Sequence, residues 1–231
     1  MLSHAEWQAI QLTLVVSAVA VLSSLPVAIA IGWTIAKKQF PGKSLLEVII
    51  NLPLVLPPVV TGYLLIVTFG RQGLLGGFLE SIFGIRFVFD WKGAALASAV
   101  VGFPLLVRPI RLAFEQIDDR LIQAARTLGA NPWDAFFTIA LPLAKSGIYA
   151  GIILAFARSM GEFGATIMIA GNIPGETQTI SLMIYSQLDS PNGIRLSIRL
   201  VVASILLSTI ALWVGERIEG NRKRRLRGEE N

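Results

Sequence analysis

The sequence predicts an all-α integral membrane domain, and three observations carry that prediction. Charge is scarce, since only 15% of the 231 residues are Asp, Glu, Lys or Arg, where a soluble domain carries about a quarter. The gaps between charges are long, with 30 uncharged residues between Glu6 and Lys37 and 23 between Glu47 and Arg71. A helix needs about 20 apolar residues to cross the hydrocarbon, so each gap is long enough for one span. The mean hydropathy of +0.66 is correspondingly high, and runs of this length are not the short alternating strands of a barrel.

Five spans follow in order. Residues 10–36 form the first. No Lys or Arg precedes Lys37, so the segment lacks the basic n-region of a cleavable signal peptide and is expected to stay in the mature protein. The second, 46–69, contains Pro53, Pro57, Pro58 and Gly62. These residues interrupt helical hydrogen bonding, which is tolerated where backbone faces protein or a water-filled cavity. Thr61 and Tyr63 offer hydroxyls there, although a simply kinked structural helix accounts equally well for any one of these residues. The third span, 93–112, and the fifth, 196–216, are short between charges, at 15 residues for 93–107 and 16 for 200–215. They reach full length only if Arg108, Arg111, Arg195 and Arg199 snorkel to the interfaces.

The fourth span, 146–169, reads as one helix with Arg158 and Glu162 four residues apart on a shared face. Counted from Ser146, Arg158 lies about 18 Å along the helix. Ionisable residues at that depth are costly and either line a cavity or pair with each other. Two readings stand side by side: a structural ion pair, or a pathway element in which Glu162 keeps Arg158 from trapping a passing anion.

Fourteen of the 20 Lys and Arg residues fall in the segments 37–45, 108–145 and 217–231, five fall in the alternate segments, and Arg158 lies within a span. The positive-inside rule then places the N-terminus outside and the C-terminus and the 113–145 loop in the cytoplasm. The tail "RKRRLR" (222–227) reads as a stop-transfer anchor near anionic lipid, not a nucleic-acid contact. On the outer side, Leu74, Leu75, Phe78, Leu79, Ile82 and Phe83 recur at helical spacing, which predicts an amphipathic surface segment. Residues 171–195, opening with "GNIPGE", read as a capped loop.

Several functions are excluded. Cysteine is absent and His4 is the one histidine, so thiolate and imidazole metal sites have no ligands. "PGKS" (41–44) resembles the end of a phosphate-binding loop, but that motif needs Gly at position 37, which is Lys37. An enzyme would need a convergent nucleophile or metal set, and none is visible.

The stretch "LIQAARTLGANPWDAFFTIALP" (121–142) is unlike its apolar surroundings. Asp118 or Asp119 can cap a helix bearing Leu121, Ala125 and Leu128 on one face. Gly129 falls where a left-handed residue is wanted. Asn131, Pro132 and Asp134 can start a second helix with Trp133, Phe136, Phe137 and Ala140 on its apolar side. A surface connector and a helix-turn-helix DNA reader are alternatives, the second made improbable by the flanking spans.

The same stretch resembles the cytoplasmic loop of permease subunits of bacterial ABC importers. Their pattern reads here as Gln123-Ala124-Ala125, three residues, Gly129, nine residues, then Ile139-Ala140-Leu141-Pro142, with Gln123 in place of the usual Glu. The resemblance narrows to the molybdate permease family, and more loosely to sulfate permeases, through "FPGKSLLE" (40–47), "NLPLVLPPVVTGYLL" (51–65), "ARTLGA" (125–130), "FARSMGEFGATI" (156–167) and "NIPGETQTI" (172–180). It implies a type I ABC importer transmembrane domain in a bacterial inner membrane. It also implies that Gln123, Ala124, Ala125, Leu128, Gly129, Ile139, Leu141 and Pro142 form the seat for a cytoplasmic ATPase. The candidate path or gate residues, read from the breaks and the charge pair themselves, are Pro57, Pro58, Thr61, Arg158 and Glu162.

By the same resemblance this chain holds no cofactor, and ATP and magnesium sit on the ATPase. The implied partners are two ATPase copies, an outside oxyanion-binding protein, a second copy of this chain and membrane lipid, with no nucleic acid. The implied cargo is molybdate, with sulfate, thiosulfate or tungstate as alternatives. A secondary transporter driven by an ion gradient is the alternative of another class. It would often show interrupted helices in both halves, whereas proline clearly breaks only the second span.

Overall fold

The computed structural model describes residues 3–226, apart from the side chains of 216 and 218–226. The side chains of the basic run 222–227, expected to act as an anchor, lie outside the described residues. Among the described residues all regular structure is helical.

Helix α1 (His4–Lys37) begins in a capping box in which the Ser3 amide donates to Glu6 Oε2 at 2.6 Å and the Glu6 amide donates to Ser3 Oγ at 3.2 Å. These two bonds satisfy backbone donors that the first turn leaves free. The helix then runs through the whole apolar gap and ends at the first Lys pair. Helix α5 (Trp91–Glu115) starts on the Asp90 carboxylate, which accepts from the Lys92 amide at 2.9 Å. It is the buried centre of the bundle, packed mainly against α1 and α8 (Leu141–Met160).

Small residues let α8 approach α5. A Cβ added to Gly151 would stand 2.6 Å from the Leu106 carbonyl oxygen, and one added to Gly102 would stand 3.5 Å from Ser159 Oγ. Close approach through small residues is how helices associate where lipid removes the hydrophobic drive between them. The pairing of Gly151 with Leu106 and of Ser159 with Gly102 also fixes the direction: α8 runs antiparallel to α5. The start of α1 is tied to α10 (Ile180–Leu188) by Thr13, whose hydroxyl accepts from the Ile180 amide at 2.9 Å. Glu6 faces Arg199 of α11 (Gly193–Leu226) at 3.5 Å.

Four helices are long and apolar enough to cross a membrane, and a fifth span exists if one bent pair is counted. That pair corrects the second predicted span. Residues 46–69 form α2 (Lys43–Val55) and α3 (Pro58–Phe69), bent by 116° at a break of two residues. Pro57 and Pro58 supply no amide donor and disfavour helix in the residue before each, so the interruption is a corner rather than a kink.

Three further expectations change. The fourth span is not one helix to 169: α8 ends at Met160, and α9 (Gly164–Ala170) restarts after a three-residue gap. Gly161 and Gly164 flank the gap, and glycine weakens helix in the interior. The second loop helix is also not separate. The four-residue α7 (Pro132–Ala135) continues through a π-helical turn, Phe136–Ala140, directly into α8, giving 29 helical residues to Met160. Helix α4 (Leu74–Phe83) matches the expected surface segment, but 171–195 holds α10 rather than only a capped loop. Its opening turn is closed by the buried Thr177 hydroxyl, which accepts from the Ile173 amide at 2.9 Å.

The close α5–α8 contact makes a prediction. Gly151→Val should lower stability in detergent by about 1–3 kcal/mol, the usual cost of overpacking, because its neighbour is backbone and cannot move aside. Gly161→Ala, whose added Cβ would meet nothing nearer than 3.9 Å, should stay within about 0.5 kcal/mol of the parent. Thermal unfolding of the two purified variants separates these outcomes.

Candidate translocation and coupling sites

The two helix breaks lie against each other. A Cβ added to Gly164 would stand 2.6 Å from Pro58 Cβ, and one added to Gly62 would stand 2.9 Å from the Ala165 carbonyl oxygen. The first turns of α3 and α9 are therefore in near-backbone contact. Pro57 and Pro58 are exposed at the corner, while Thr61 is buried one turn further on.

Glu162 organises this junction. One carboxylate oxygen accepts from the Ala165 amide at 2.9 Å, and the other pairs with Arg158 Nη1 at 2.8 Å. The first bond caps α9 at its positive end, where a carboxylate is favoured. The second keeps the i,i+4 pairing expected from sequence, although the helix has ended between the two residues. The Glu162 side chain is 2% exposed and that of Arg158 is 33% exposed, so the carboxylate is sealed in protein and the guanidinium reaches its edge. Ser159 stands opposite Gly102, near the midpoint of α5. The pair therefore sits about half-way through the bundle.

Three buried hydroxyls lie near this level: Thr61, which the sequence marked, and Ser98 and Ser159, which had no signal there. Other span hydroxyls, those of Thr13, Ser24, Thr34 and Thr68, donate back to a carbonyl one turn earlier. The buried oxygens of Thr61, Ser98 and Ser159 have no hydrogen-bond partner among the described residues. An unsatisfied buried polar group costs about 1–3 kcal/mol, and the hydroxyls of Ser17 and Thr179, away from this level, are in the same position.

The loop is built as its sequence patterning indicates. Asp118 caps α6 (Asp119–Thr127) by accepting from the Arg120 amide at 2.9 Å. Gly129 has φ +96°, a left-handed conformation that suits glycine. Asn131 and Asp134 form a reciprocal capping box. Gln123, Ala124 and Gly129 are exposed, Ala125 is half-buried, and Leu128 is 89% exposed. Ile139 in the π turn and Leu141 are half-buried, and Pro142 is exposed in the first turn of α8.

Two anchoring features were missed. Lys37 donates to the Ile117 carbonyl at 2.6 Å and to Asp119 Oδ1 at 2.5 Å, clamping the end of α1 to the start of α6. Beneath the loop, the rings of Trp33, Phe114 and Phe136 lie 5.1–6.2 Å apart. The Lys37 run and the aromatic residues were visible, but only the fold shows that they converge. The loop and the Arg158 junction are not brought together, since nearly the whole of α8 separates them.

Residues 24–224 match the family described as binding-protein-dependent transport system inner membrane component. The chain belongs to that family. This transport-system component is 54% identical, over 215 residues, to the molybdenum transport system permease protein ModB of Escherichia coli, covering 93% of this chain and 94% of that one. It is 53% identical over 218 residues to ModB of Haemophilus influenzae, covering 93% and 95%. Sulfate transport system permease protein CysT of E. coli is more distant, at 36% over 197 residues, covering 82% and 71%.

Among solved structures, a bacterial ABC transporter that imports alginate matches with TM-score 0.70 at 20% identity, over 96% of this chain and 80% of that chain. The inward-facing MetNI methionine ABC transporter matches with TM-score 0.65 at 18% identity, over 93% and 92%. These two likenesses show a shared fold. Membership of this family identifies the chain as a transport subunit of a membrane, not an enzyme. It also replaces the earlier objection to a secondary transporter, because helices in both halves of this chain are in fact interrupted.

The Arg158–Glu162 geometry predicts unequal single variants. Arg158→Ala strands a carboxylate that is 2% exposed, a change that costs about 3–5 kcal/mol. Glu162→Gln keeps an acceptor for the Ala165 amide and leaves Arg158 access to the edge, so it should cost less than half as much. Adding Glu162→Gln to Arg158→Ala should recover most of the loss. Equal melting shifts for the two single variants would contradict a sealed carboxylate.

Proposed function

We propose that this chain is the permease subunit of an ATP-driven ABC importer for an oxyanion, with molybdate as the cargo. The observation that carries the reading is the 54% identity to a molybdenum permease across 93% of the chain. Sulfate, thiosulfate or tungstate is the second reading, favoured by the 36% identity to a sulfate permease.

In this reading the chain is a single domain of five spans, with α2 and α3 together counted as one. Its N-terminus is outside and its C-terminus cytoplasmic. The Lys and Arg distribution supports that orientation. Five spans enclose a path poorly, so two copies assemble with the path between them, joined by two ATPase subunits and an outside binding protein. ATP and magnesium belong to the ATPase. The α6 helix, presenting Gln123, Ala124 and Leu128 and ended by Gly129, seats on it, and Ile139, Leu141 and Pro142 carry movement into α8.

The cargo passes near the paired breaks. Arg158 attracts an oxyanion, and Glu162, holding the same guanidinium, limits how tightly it is kept. Conduction requires binding that is favourable on entry and weak enough for release. The buried hydroxyls of Thr61, Ser98 and Ser159 lie at this level, and opening at Pro57 and Pro58 would bring them to the path.

Two measurements test this reading. Reconstituted with its ATPase and binding protein, the transporter should hydrolyse ATP faster with molybdate-loaded binding protein than with sulfate. Equal stimulation by sulfate would move the cargo to that class. Ala125→Asp, at a half-buried seat position, should reduce ATPase copurification at least tenfold, because it buries an unpaired charge. Full copurification and uptake with that variant would make α6 a surface connector.

A further inference from the structure

Beside the loop the protein surface carries a groove of about 770 Å³. Its floor is apolar, formed by Leu25, Ile29 and Trp33 of α1 and by Phe136 and Phe137 of the π turn. One end is basic, lined by Lys38 and Arg126. These two cations, like Lys43, Arg120 and Lys145, have no ion pair among the described residues. Lys37 is held by Asp119, Arg111 by Glu47 and Glu115, and Arg108 by Asn51. Lys38 and Arg126 have no carboxylate partner among the described residues.

We propose that this groove binds an acidic phospholipid, with an acyl chain on the α1 floor and the headgroup phosphate between Lys38 and Arg126. Three observations select this occupant. Charge is complementary only at one end, which matches a molecule with one anionic end and an apolar body. The groove lies where the apolar run of α1 meets its terminal lysines, the level at which headgroups sit, and Trp33 and Trp133 line it as interfacial aromatics do. The floor is also continuous with the exposed apolar face of α1, including Val15, Val19, Leu22 and Val27, which faces the acyl region. Basic pockets between membrane helices recognise acidic headgroups in this way. Because α1, α6 and the π turn all contribute walls, the lipid bridges the loop to the first span.

The test is native mass spectrometry of the intact transporter in detergent, titrated with phosphatidylglycerol or with phosphatidylcholine of the same chains. One phosphatidylglycerol per copy of this chain should be retained, about tenfold more tightly than phosphatidylcholine. Lys38→Gln with Arg126→Gln should remove that preference, and Lys38→Arg with Arg126→Lys should keep it. Ala30→Trp, which narrows the floor and leaves both charges, should weaken both lipids. Lys38→Gln alone, at the exposed end of α1, should weaken the preference even if the double variant assembles poorly. Equal retention of the two lipids by the parent overturns the proposal, as does unchanged preference in the Gln variants. If the Gln pair sheds the ATPase but keeps its phosphatidylglycerol, the groove is a protein docking site instead.

Discussion

The near-contact of backbone between α5 and α8 is the constraint on which the rest of the bundle depends. Gly147 and Gly151 present no side chain to α5, and a Cβ at Gly151 would meet a carbonyl oxygen of the central helix. In lipid there is little hydrophobic gain from helix association, so van der Waals contact at this distance carries much of the cohesion. It fixes the antiparallel register of the two helices. That register sets Ser159 against Gly102, which places the Arg158–Glu162 pair at mid-depth, and sets Phe136 beneath Trp33 and Phe114, which places the loop.

Around this rigid pair the chain is deliberately discontinuous. The α2–α3 corner and the α8–α9 gap expose peptide groups that a membrane does not tolerate next to lipid. Their solution is mutual. Gly164 accepts Pro58, Gly62 accepts Ala165, and the Glu162 carboxylate satisfies the Ala165 amide that the restarted helix leaves free. The buried charge is thus explained twice, as a cap and as an ion-pair partner. A substitution that preserves only one of these interactions leaves the other unmet.

Much of this was legible in the sequence, for physical reasons that differ by element. A long uncharged run announces α1 because length and charge decide whether a helix can span, and α5 was legible only by letting Arg108 and Arg111 snorkel. The loop was legible in detail because its caps are local: Asp118, Gly129, Asn131 and Asp134 act on amides within a few residues. The α8–α9 gap was not read, although "GEFG" places two glycines around an acidic residue in an apolar run. Its capping partner is local, but the neighbour that stabilises the break, Pro58, is a hundred residues away. The Lys37 clamp and the ring cluster share that obscurity. The partnerless hydroxyls of Ser98 and Ser159 are the extreme case, since an identical residue that bonds back to its own helix has the same spelling.

The continuity of Pro132–Met160 has a mechanical meaning. A rod of 29 residues is about 40 Å long at 1.5 Å per residue, with the loop at one end and Arg158 near the other. Its tightest contact with α5, at Gly147 and Gly151, lies between them and acts as a fulcrum. A tilt of about 5° about that point would move each end by roughly 1–2 Å in opposite directions, given arms of about 10–25 Å. The π turn sits between the fulcrum and the loop, where an extra residue per turn softens the shaft. Such a tilt would reach the guanidinium as a small displacement inverted from that of the loop, and the stiffness of the five-residue π turn would set its size.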